Sequence, residues 1–95
     1  MIKFRALDTL KIGVAELTLH SENGEAGCLT QLSDGRVISG CIDEIDVWNI
    51  NTGKCDAVWS GHTDRVSHLV QYDSHRLLSA SYDTTIKVWN LATGE

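Results

Sequence analysis

The sequence lacks the features that would direct a chain into a membrane or out of the cell. Its 95 residues contain no proline, and no apolar run approaches the ~18–20 residues of a membrane-spanning helix. The opening MIKFRALDTL carries charges at Lys3, Arg5 and Asp8 and has no apolar core, so we expect no signal peptide. Asn-x-Ser/Thr sequons are also absent. We therefore expect a cytoplasmic protein that does not contact a membrane.

Basic residues are too few and too scattered to form a nucleic-acid-binding surface. The chain has 8 Lys and Arg against 13 Asp and Glu, and its formal net charge is −5. Binding to phosphates requires clustered Lys and Arg, and no such cluster is present. The acidic balance favours partners with basic or polar surfaces. We expect protein or peptide partners and no nucleic acid.

Cysteine and histidine show no pattern that indicates a metal or a cofactor. The three cysteines are odd in number and widely spaced, which predicts free, buried thiols. They are Cys28, Cys41 and Cys55. No Cys-x₂-Cys pair of the kind found in zinc sites occurs among them, and His62 and His68, which are six residues apart, have no such cysteine pair to complete a site. The histidines are His20, His62, His68 and His75. A Gly-rich phosphate loop is absent as well, so we expect neither metal nor cofactor.

What the sequence does contain is an internal repeat. Residues 21–43 align with residues 61–83 at an offset of 40, and residues 44–54 align with residues 85–95 at an offset of 41. The two copies share 11 identities in 34 aligned positions, among them Val-Trp-Asn and Thr-Gly. Residues 2–9, IKFRALDT, match residues 86–93, IKVWNLAT, at four of eight positions, with Arg5 in place of Trp. This predicts a partial repeat at 1–20 and two further repeats at 21–60 and 61–95.

Each repeat reads as β structure. Short β-rich runs alternate in polarity and are separated by turn signals such as Ser33-Asp34-Gly35 and Asn51-Thr52-Gly53. No segment has helical spacing with a convincing cap, so we expect negligible helix. Strands are predicted near 14–20, 26–32, 36–41, 45–50, 54–59, 66–71, 76–81 and 86–91. A unit of about 40 residues with four short antiparallel strands predicts an all-β propeller blade.

The second full repeat, GHTDRVSHLVQYDSHRLLSASYDTTIKVWNLATGE, resembles a WD-repeat of the β-propeller family. It has the Gly-His pair, a Ser-x-Ser-x-Asp turn and Ile-x-Val-Trp-Asn, with Asn90 at the position of the name-giving Asp. The first full repeat is degenerate, because Ser21-Glu22 replaces Gly-His and its turn is one residue shorter. The resemblance covers residues 10–95 well and the first nine residues poorly.

The resemblance implies a hydrogen-bonded network inside each blade. In the second full repeat its members would be His62, Ser79, Asp83 and Trp89. In the first only Ser39, Asp43 and Trp48 remain, so we expect that blade to be looser. The chemistry agrees, since a buried Trp N–H needs an acceptor and a hydroxyl can accept and donate onward. A catalytic Ser-His-Asp triad is disfavoured, because the Ser would lie within a strand and no nucleophile elbow is present.

The resemblance also implies a binding face, made by the loops before the inner strands and by the Asp-containing turns. The loops hold Asn23, Glu25, Thr63 and Arg65, and the turns hold Ile42 and Tyr82. Tyr and Arg are enriched at interface hot spots. We expect a non-catalytic interaction scaffold. The alternatives are an enzyme or enzyme subunit built on a propeller, and a structural module of a larger chain.

Two repeats and a fragment are fewer than the ~4–8 blades of a closed propeller. The last repeat has no outer strand, and the strand near 14–20 is expected to be an outer strand without a blade of its own. One expectation is that this strand completes the last blade of a second copy, so that a trimer or tetramer closes a ring of six or eight blades. The other is that these residues are a piece of a longer propeller.

Overall fold

The computed structural model describes residues 2–5, 15–21 and 24–95, and all regular structure in them is antiparallel β. A two-stranded sheet contains β1 (Ile2–Arg5) and β2 (Ala15–Leu19). The other six strands are hydrogen-bonded in chain order. They are β3 (Cys28–Gln31), β4 (Val37–Gly40), β5 (Ile42–Asn49), β6 (Lys54–Gln71), β7 (Arg76–Ser81) and β8 (Ile86–Asn90). The predicted all-β, antiparallel class is confirmed. No helix in the described residues is long and apolar enough to cross a membrane.

The longest strand, β6, belongs to two blades. Its residues 54–60 pair with β5, with Trp59 opposite Ile45. Its residues 66–71 pair with β7, with Leu69 opposite Ser79. We call β3, β4, β5 and residues 54–60 blade 1, and residues 65–71, β7 and β8 blade 2. The predicted pair of strands at 54–59 and 66–71 is therefore one continuous strand of 18 residues.

The main core lies between the two blades. Period-two alternation in β5 turns Ile45 and Val47 toward blade 2, where they expose 0% and 2% of their surface. Blade 2 contributes Trp89, and its ring stacks on that of Trp59 with centroids 6.0 Å apart. Each such side chain contributes about 1.5–3 kcal/mol when fully buried. The other members of this core are Leu32, Ile38, Val66, Leu69, Leu77 and Leu91.

Equivalent turns follow β5 and β8. The side chain of Asn90 accepts hydrogen bonds from the backbone N–H groups of Ala92 and Thr93, at 2.8 and 3.1 Å. Asn49 caps the first of these turns in the same way. Each turn then needs a left-handed residue, which Gly53 (φ +74°) and Gly94 (φ +79°) supply. At the position of the family's Asp, this chain therefore uses an Asn that closes the turn.

The N-terminal hairpin was only partly predicted. The strand expected near 14–20 is present as β2, but it pairs with β1 of the same chain, a strand the sequence reading did not assign. The strand therefore lies in a two-stranded sheet, and the expectation that it has no four-stranded blade of its own stays a prediction. Leu19 is 2% exposed and packs with Val37 and Trp48 of blade 1 in a second, smaller core. Apart from β6, β5 shows the largest difference from the predicted bounds, since it begins at residue 42 rather than 45.

Candidate functional site

Blade 2 contains a continuous chain of buried hydrogen bonds. The indole Nε1 of Trp89 donates to Oγ of Ser79 at 2.7 Å, and the same oxygen lies 2.6 Å from Nε2 of His62. The other ring nitrogen, Nδ1, lies 2.7 Å from Oδ2 of Asp83. Ser79 exposes 1% of its surface and His62 exposes 4%. The structure thus brings together the four residues that the sequence assigned to this network. One comes from each of β6, β7 and β8, and Asp83 comes from the turn after β7.

One arrangement of protons satisfies every member of the network. Oγ of Ser79 accepts from Trp89 and has one proton to donate, and Nε2 of His62 is placed to accept it. In a neutral ring the other proton is then on Nδ1, which donates to the carboxylate of Asp83. No buried side-chain nitrogen or oxygen in the described residues is left without a partner. A fully satisfied network of this kind specifies one packing arrangement.

The carboxylate of Asp83 is held by the turn that follows β7. Oδ1 accepts from the hydroxyl of Thr85 at 2.5 Å and from its backbone N–H at 2.9 Å. Oδ2 accepts from the backbone N–H of Thr63 at 3.1 Å. These bonds, with the Thr85 hydroxyl first and the ring of His62 next, hold the pKa of Asp83 well below its ordinary value. The positive φ of Thr84, +75°, closes the turn around the carboxylate.

Of this network, blade 1 keeps only the hydrogen bond from the Trp indole to the Ser hydroxyl. Nε1 of Trp48 donates to Oγ of Ser39 at 2.8 Å, as Trp89 does to Ser79. Asp43, which the sequence aligns with Asp83, does not join it. The side chain of Asp43 is exposed, its φ is +60°, and it makes no side-chain hydrogen bond within the described residues. The turn is one residue shorter than in blade 2, which leaves the carboxylate on the surface.

A different buried carboxylate serves blade 1. Asp46 in β5 is 1% exposed, and its Oδ2 accepts from the hydroxyl of Ser21 at 2.6 Å. The thiol of Cys41 lies 3.7 Å from the same oxygen, and burial raises the pKa of this thiol, so that it keeps the proton it donates. Sequence reasoning missed Asp46. Strand alternation held the signal, since Asp46 and Trp48 are two residues apart and share a face.

The sequence of the chain is similar to those of known proteins. The family model "WD domain, G-beta repeat" matches residues 53–90. An uncharacterized WD repeat-containing protein of Schizosaccharomyces pombe is 43% identical over 61 residues, which cover 63% of this chain and 16% of that protein. Cell division control protein 4 of Saccharomyces cerevisiae is 44% identical over 57 residues, which cover 58% of this chain and 7% of that protein. The chain contains a WD repeat.

A solved structure supports the same fold. The β-propeller domain of Myceliophteria thermophila Cps50 (Swd1) superposes with a TM-score of 0.74 at 23% identity, covering 84% of this chain and 25% of that one. The WD-repeat chain described here therefore spans less than a fifth of the two curated relatives above and a quarter of this propeller. The likeness to the propeller shows the arrangement of the blades.

The WD-repeat network is arranged for structure rather than for nucleophilic attack. Ser79, His62 and Asp83 are the residue types of a hydrolase triad, but Ser79 lies inside β7 and is 1% exposed. Its oxygen already accepts from Trp89 and lies 2.6 Å from the ring of His62, so both of these hydrogen bonds are made within the blade. A nucleophile of this kind is normally exposed on a strained elbow between strand and helix. The hydrogen bonds instead tie the three strands of blade 2 to the turn that contains Asp83.

Most residues of the predicted WD-repeat binding face lie close together. Ile42 and Arg65 are opposite each other in the pairing of β5 with β6, and the backbone N–H of Tyr82 donates to the carbonyl of Arg65 at 3.0 Å. The guanidinium of Arg65 lies 3.8 Å from the Cβ position that Gly27 lacks, beside the loop that carries Glu25. Ile42 exposes 47% and Tyr82 exposes 65% of its surface. Thr63 and Glu25 are exposed, and Asn23 lies outside the described residues.

Metal and thiol chemistry find little support in the part of the chain that is described. No group of three or more His, Cys, Asp or Glu side chains there could hold a metal ion. All three cysteines are free: Cys41 is buried, Cys28 half-buried and Cys55 exposed. Burial raises the pKa of all three thiols, which disfavours the reactive thiolate.

Proposed function

We propose that this WD-repeat chain is a non-catalytic scaffold that binds a protein or peptide partner. The observation that carries the proposal is the contrast between two sets of polar groups. The Ser, His and Asp of blade 2 are hydrogen-bonded to one another inside the blade. Ile42 and Tyr82, by contrast, are exposed and lie beside the half-buried Arg65. The free thiols and the acidic charge fit a cytoplasmic protein, which we also propose.

The chemistry of the face suggests what the partner presents. Arg65 is in no ion pair within the described residues. Ile42 lies opposite Arg65 in the sheet, the backbone of Tyr82 is hydrogen-bonded to that of Arg65, and both apolar side chains are exposed. A partner loop or extended peptide would place an apolar side chain against these two residues and a carboxylate on the guanidinium. Tyr and Arg at the centre of such a patch supply most of the affinity in typical interfaces.

Site-specific cross-linking tests the binding face. A photoreactive phenylalanine at position 82 should capture a discrete partner in cells, and Arg65→Glu should abolish that product by reversing the charge. The matched control is position 72. Tyr72 is 62% exposed, close to the 65% of Tyr82, but its ring packs against the guanidinium of Arg76, with 4.9 Å from Cζ to the ring centroid. Equal yields of the same product from both positions would contradict the proposal.

We further propose that copies of the chain associate end to end. Blade 2 exposes apolar side chains on the face that points away from blade 1: Ile86 is 73%, Val88 57% and Val70 56% exposed. The residues at the same repeat positions in blade 1, Ile45 and Val47, are buried against blade 2. The exposed face is thus a blade–blade interface without its second blade. A head-to-tail contact that rotates each copy relative to the next can close the copies into a ring, here a trimer or a tetramer.

The alternative is that blades of a longer parent chain cover this face. Light scattering on the purified 95-residue chain separates the two. A trimer or tetramer supports the ring, and a folded monomer at all accessible concentrations removes it. Further blades of a parent chain supplied in trans would then restore a compact complex.

A further inference from the structure

The hairpin β1–β2 repeats the pairing of the last two strands of blade 1. Ile2 is opposite Leu19 and Phe4 opposite Leu17, just as Ile45 is opposite Trp59 and Val47 opposite Ala57. The register shift also falls at the same place, between Phe4 and Arg5 in one pair and between Val47 and Trp48 in the other. By its backbone, β1 therefore occupies the position of a third blade strand, and β2 that of the fourth, outer strand.

Blade 2 has its first three strands but no outer strand within the described residues. Its third strand, β8, pairs with β7, and no other strand of the described residues pairs with it. A cavity of about 410 Å³ lies beside it, lined by residues that include Gly61, Lys87 and Trp89. In blade 1 the corresponding edge of β5 is covered by residues 54–60 of β6. Within the described residues, the second edge of β8 is therefore unpaired, and an outer strand can pair with it.

The strands β1 and β8 are alike in sequence. Both begin Ile-Lys, at residues 2–3 and 86–87, and the match continues to Leu7 with Leu91 and Thr9 with Thr93. In the register that β1 now uses, β8 of a second copy would place Ile86 opposite Leu19 and Val88 opposite Leu17. Either strand fits the same edge of β2.

The two candidate partners of β2 differ in support. β1 has four residues and pairs only with β2, and an isolated two-stranded hairpin is marginally stable. β8 is part of a sheet and is fixed to it by the bond from Trp89 to Ser79. Exchange would leave β2 in place, because Leu19 packs on Val37 and Trp48 of blade 1 whichever strand lies beside it.

We propose that β1 is a placeholder that competes with β8 of a second copy for the edge of β2 that β1 now occupies. This inference rests on the end-to-end association proposed above and adds what regulates it. While β1 is paired, the outer strand is not available, so β1 weakens the association of the full chain without abolishing it. When β1 leaves, β2 of one copy completes blade 2 of the next.

Removing or locking β1 tests the proposal in opposite directions. Deletion of residues 1–5 should tighten association by about tenfold or more, because the competing pairing no longer reduces the fraction of available β2. In a Cys55→Ser background, Lys3→Cys with Thr18→Cys links two residues that face each other in the hairpin. The oxidised lock should be monomeric by light scattering, and reduction should restore wild-type association.

A matched pair of substitutions identifies the acceptor. Val88→Lys places a charge on a side chain that is 57% exposed in the single chain but would be as buried as Val47 once blade 1 of the next copy packs against blade 2. Val58→Lys changes a side chain that is 48% exposed in the groove beside Thr18 and Leu19, and these neighbours stay the same because β2 stays in place. In the deletion variant, the first should abolish association and the second should leave it unchanged.

The outcomes separate the proposals. A folded deletion variant with wild-type association overturns the placeholder, as does association that survives the oxidised lock or Val88→Lys. If the deletion variant does not fold, the lock in the full chain decides the question. Loss of cross-linking at position 82 with association intact counts against the binding face alone.

Discussion

Blades 1 and 2 have the same strand order and the same Trp–Ser bond, but they bury different carboxylates. Blade 2 holds Asp83 in a turn and reaches it through a histidine, whereas blade 1 holds Asp46 in a strand and reaches it through Ser21 and Cys41. The bond from Trp to Ser is 2.7 Å in one and 2.8 Å in the other. The indole N–H and its acceptor are therefore the fixed requirement, and the route to a carboxylate is free to change.

The largest expected effect is the loss of the histidine that bridges the network of blade 2. His62→Ala removes the acceptor of the Ser79 hydroxyl proton and one of the donors to the Asp83 carboxylate, and we expect a loss of about 3 kcal/mol in the free energy of unfolding. The aligned change in blade 1, Glu22→Ala, should have almost no effect. Urea melts measure both. Similar losses at the two positions would mean that blade 1 depends on its aligned residue after all.

Removing the shared hydroxyl compares the two routes directly. Ser79→Ala takes an acceptor from Trp89 and a partner from His62, so we expect a loss of about 2 kcal/mol. Ser39→Ala takes the acceptor from Trp48, and the expected loss is about 1 kcal/mol. Urea melts with equal m-values measure both losses. If Ser39→Ala lowers the free energy of unfolding as much as Ser79→Ala, the two blades do not differ as described.

The equivalent turn glycines should respond unequally to the same change. Alanine at the left-handed conformation of either Gly53 or Gly94 costs about 1 kcal/mol. At Gly94 the added methyl group would also clash with the indole of Trp59, whereas at Gly53 the nearest atom is Leu17 Cδ1 at 3.5 Å, an ordinary contact. We expect Gly94→Ala to cost about 1 kcal/mol more than Gly53→Ala. Thermal melts of both variants measure the difference, which is absent if the ring of Trp59 can move aside.

The smallest expected effect is a difference in acid sensitivity. Because the pKa of Asp83 is lowered in the folded chain, below about pH 4 the unfolded chain takes up a proton that the folded chain refuses. The stabilisation by this carboxylate is thus complete near neutral pH and decreases as the pH falls. The difference in stability between wild type and Asp83→Asn should be constant from about pH 7 to 5 and should shrink below about pH 4. Asp43→Asn, at an exposed side chain, should show neither difference.

Much of this fold was predictable because the repeat imposes the same physical constraints twice. Val-Trp-Asn followed by Thr-Gly at two places fixes a strand and its turn, and the alternation in β5 fixes which side chains face blade 2. β1 was missed because it has four residues and its partner is ten residues or more away, so that no local signal marks it as a strand. The continuity of β6 was missed because Gly61 and the polar residues after it read as a loop.

The candidate site was predictable where the repeat is well formed and was not where it is degenerate. His62, Ser79, Asp83 and Trp89 follow from position alone. In blade 1, alignment points to Asp43, yet a turn shorter by one residue leaves that side chain exposed. Asp46 could have been found only by giving weight to a charged residue on the buried face of a strand, where an unpaired carboxylate would be costly.

The 18-residue strand β6 has a consequence for how such a chain can be divided. The predicted boundary between repeats, at residues 60 and 61, falls inside β6, so the repeat in the sequence is out of phase with the blade that folds. A recombination event or a protease cut at that boundary would remove the outer strand from one blade and the inner strand from the next. The turn at residues 51–53 lies between paired strands, and an inserted loop or peptide tag there would leave both ladders whole.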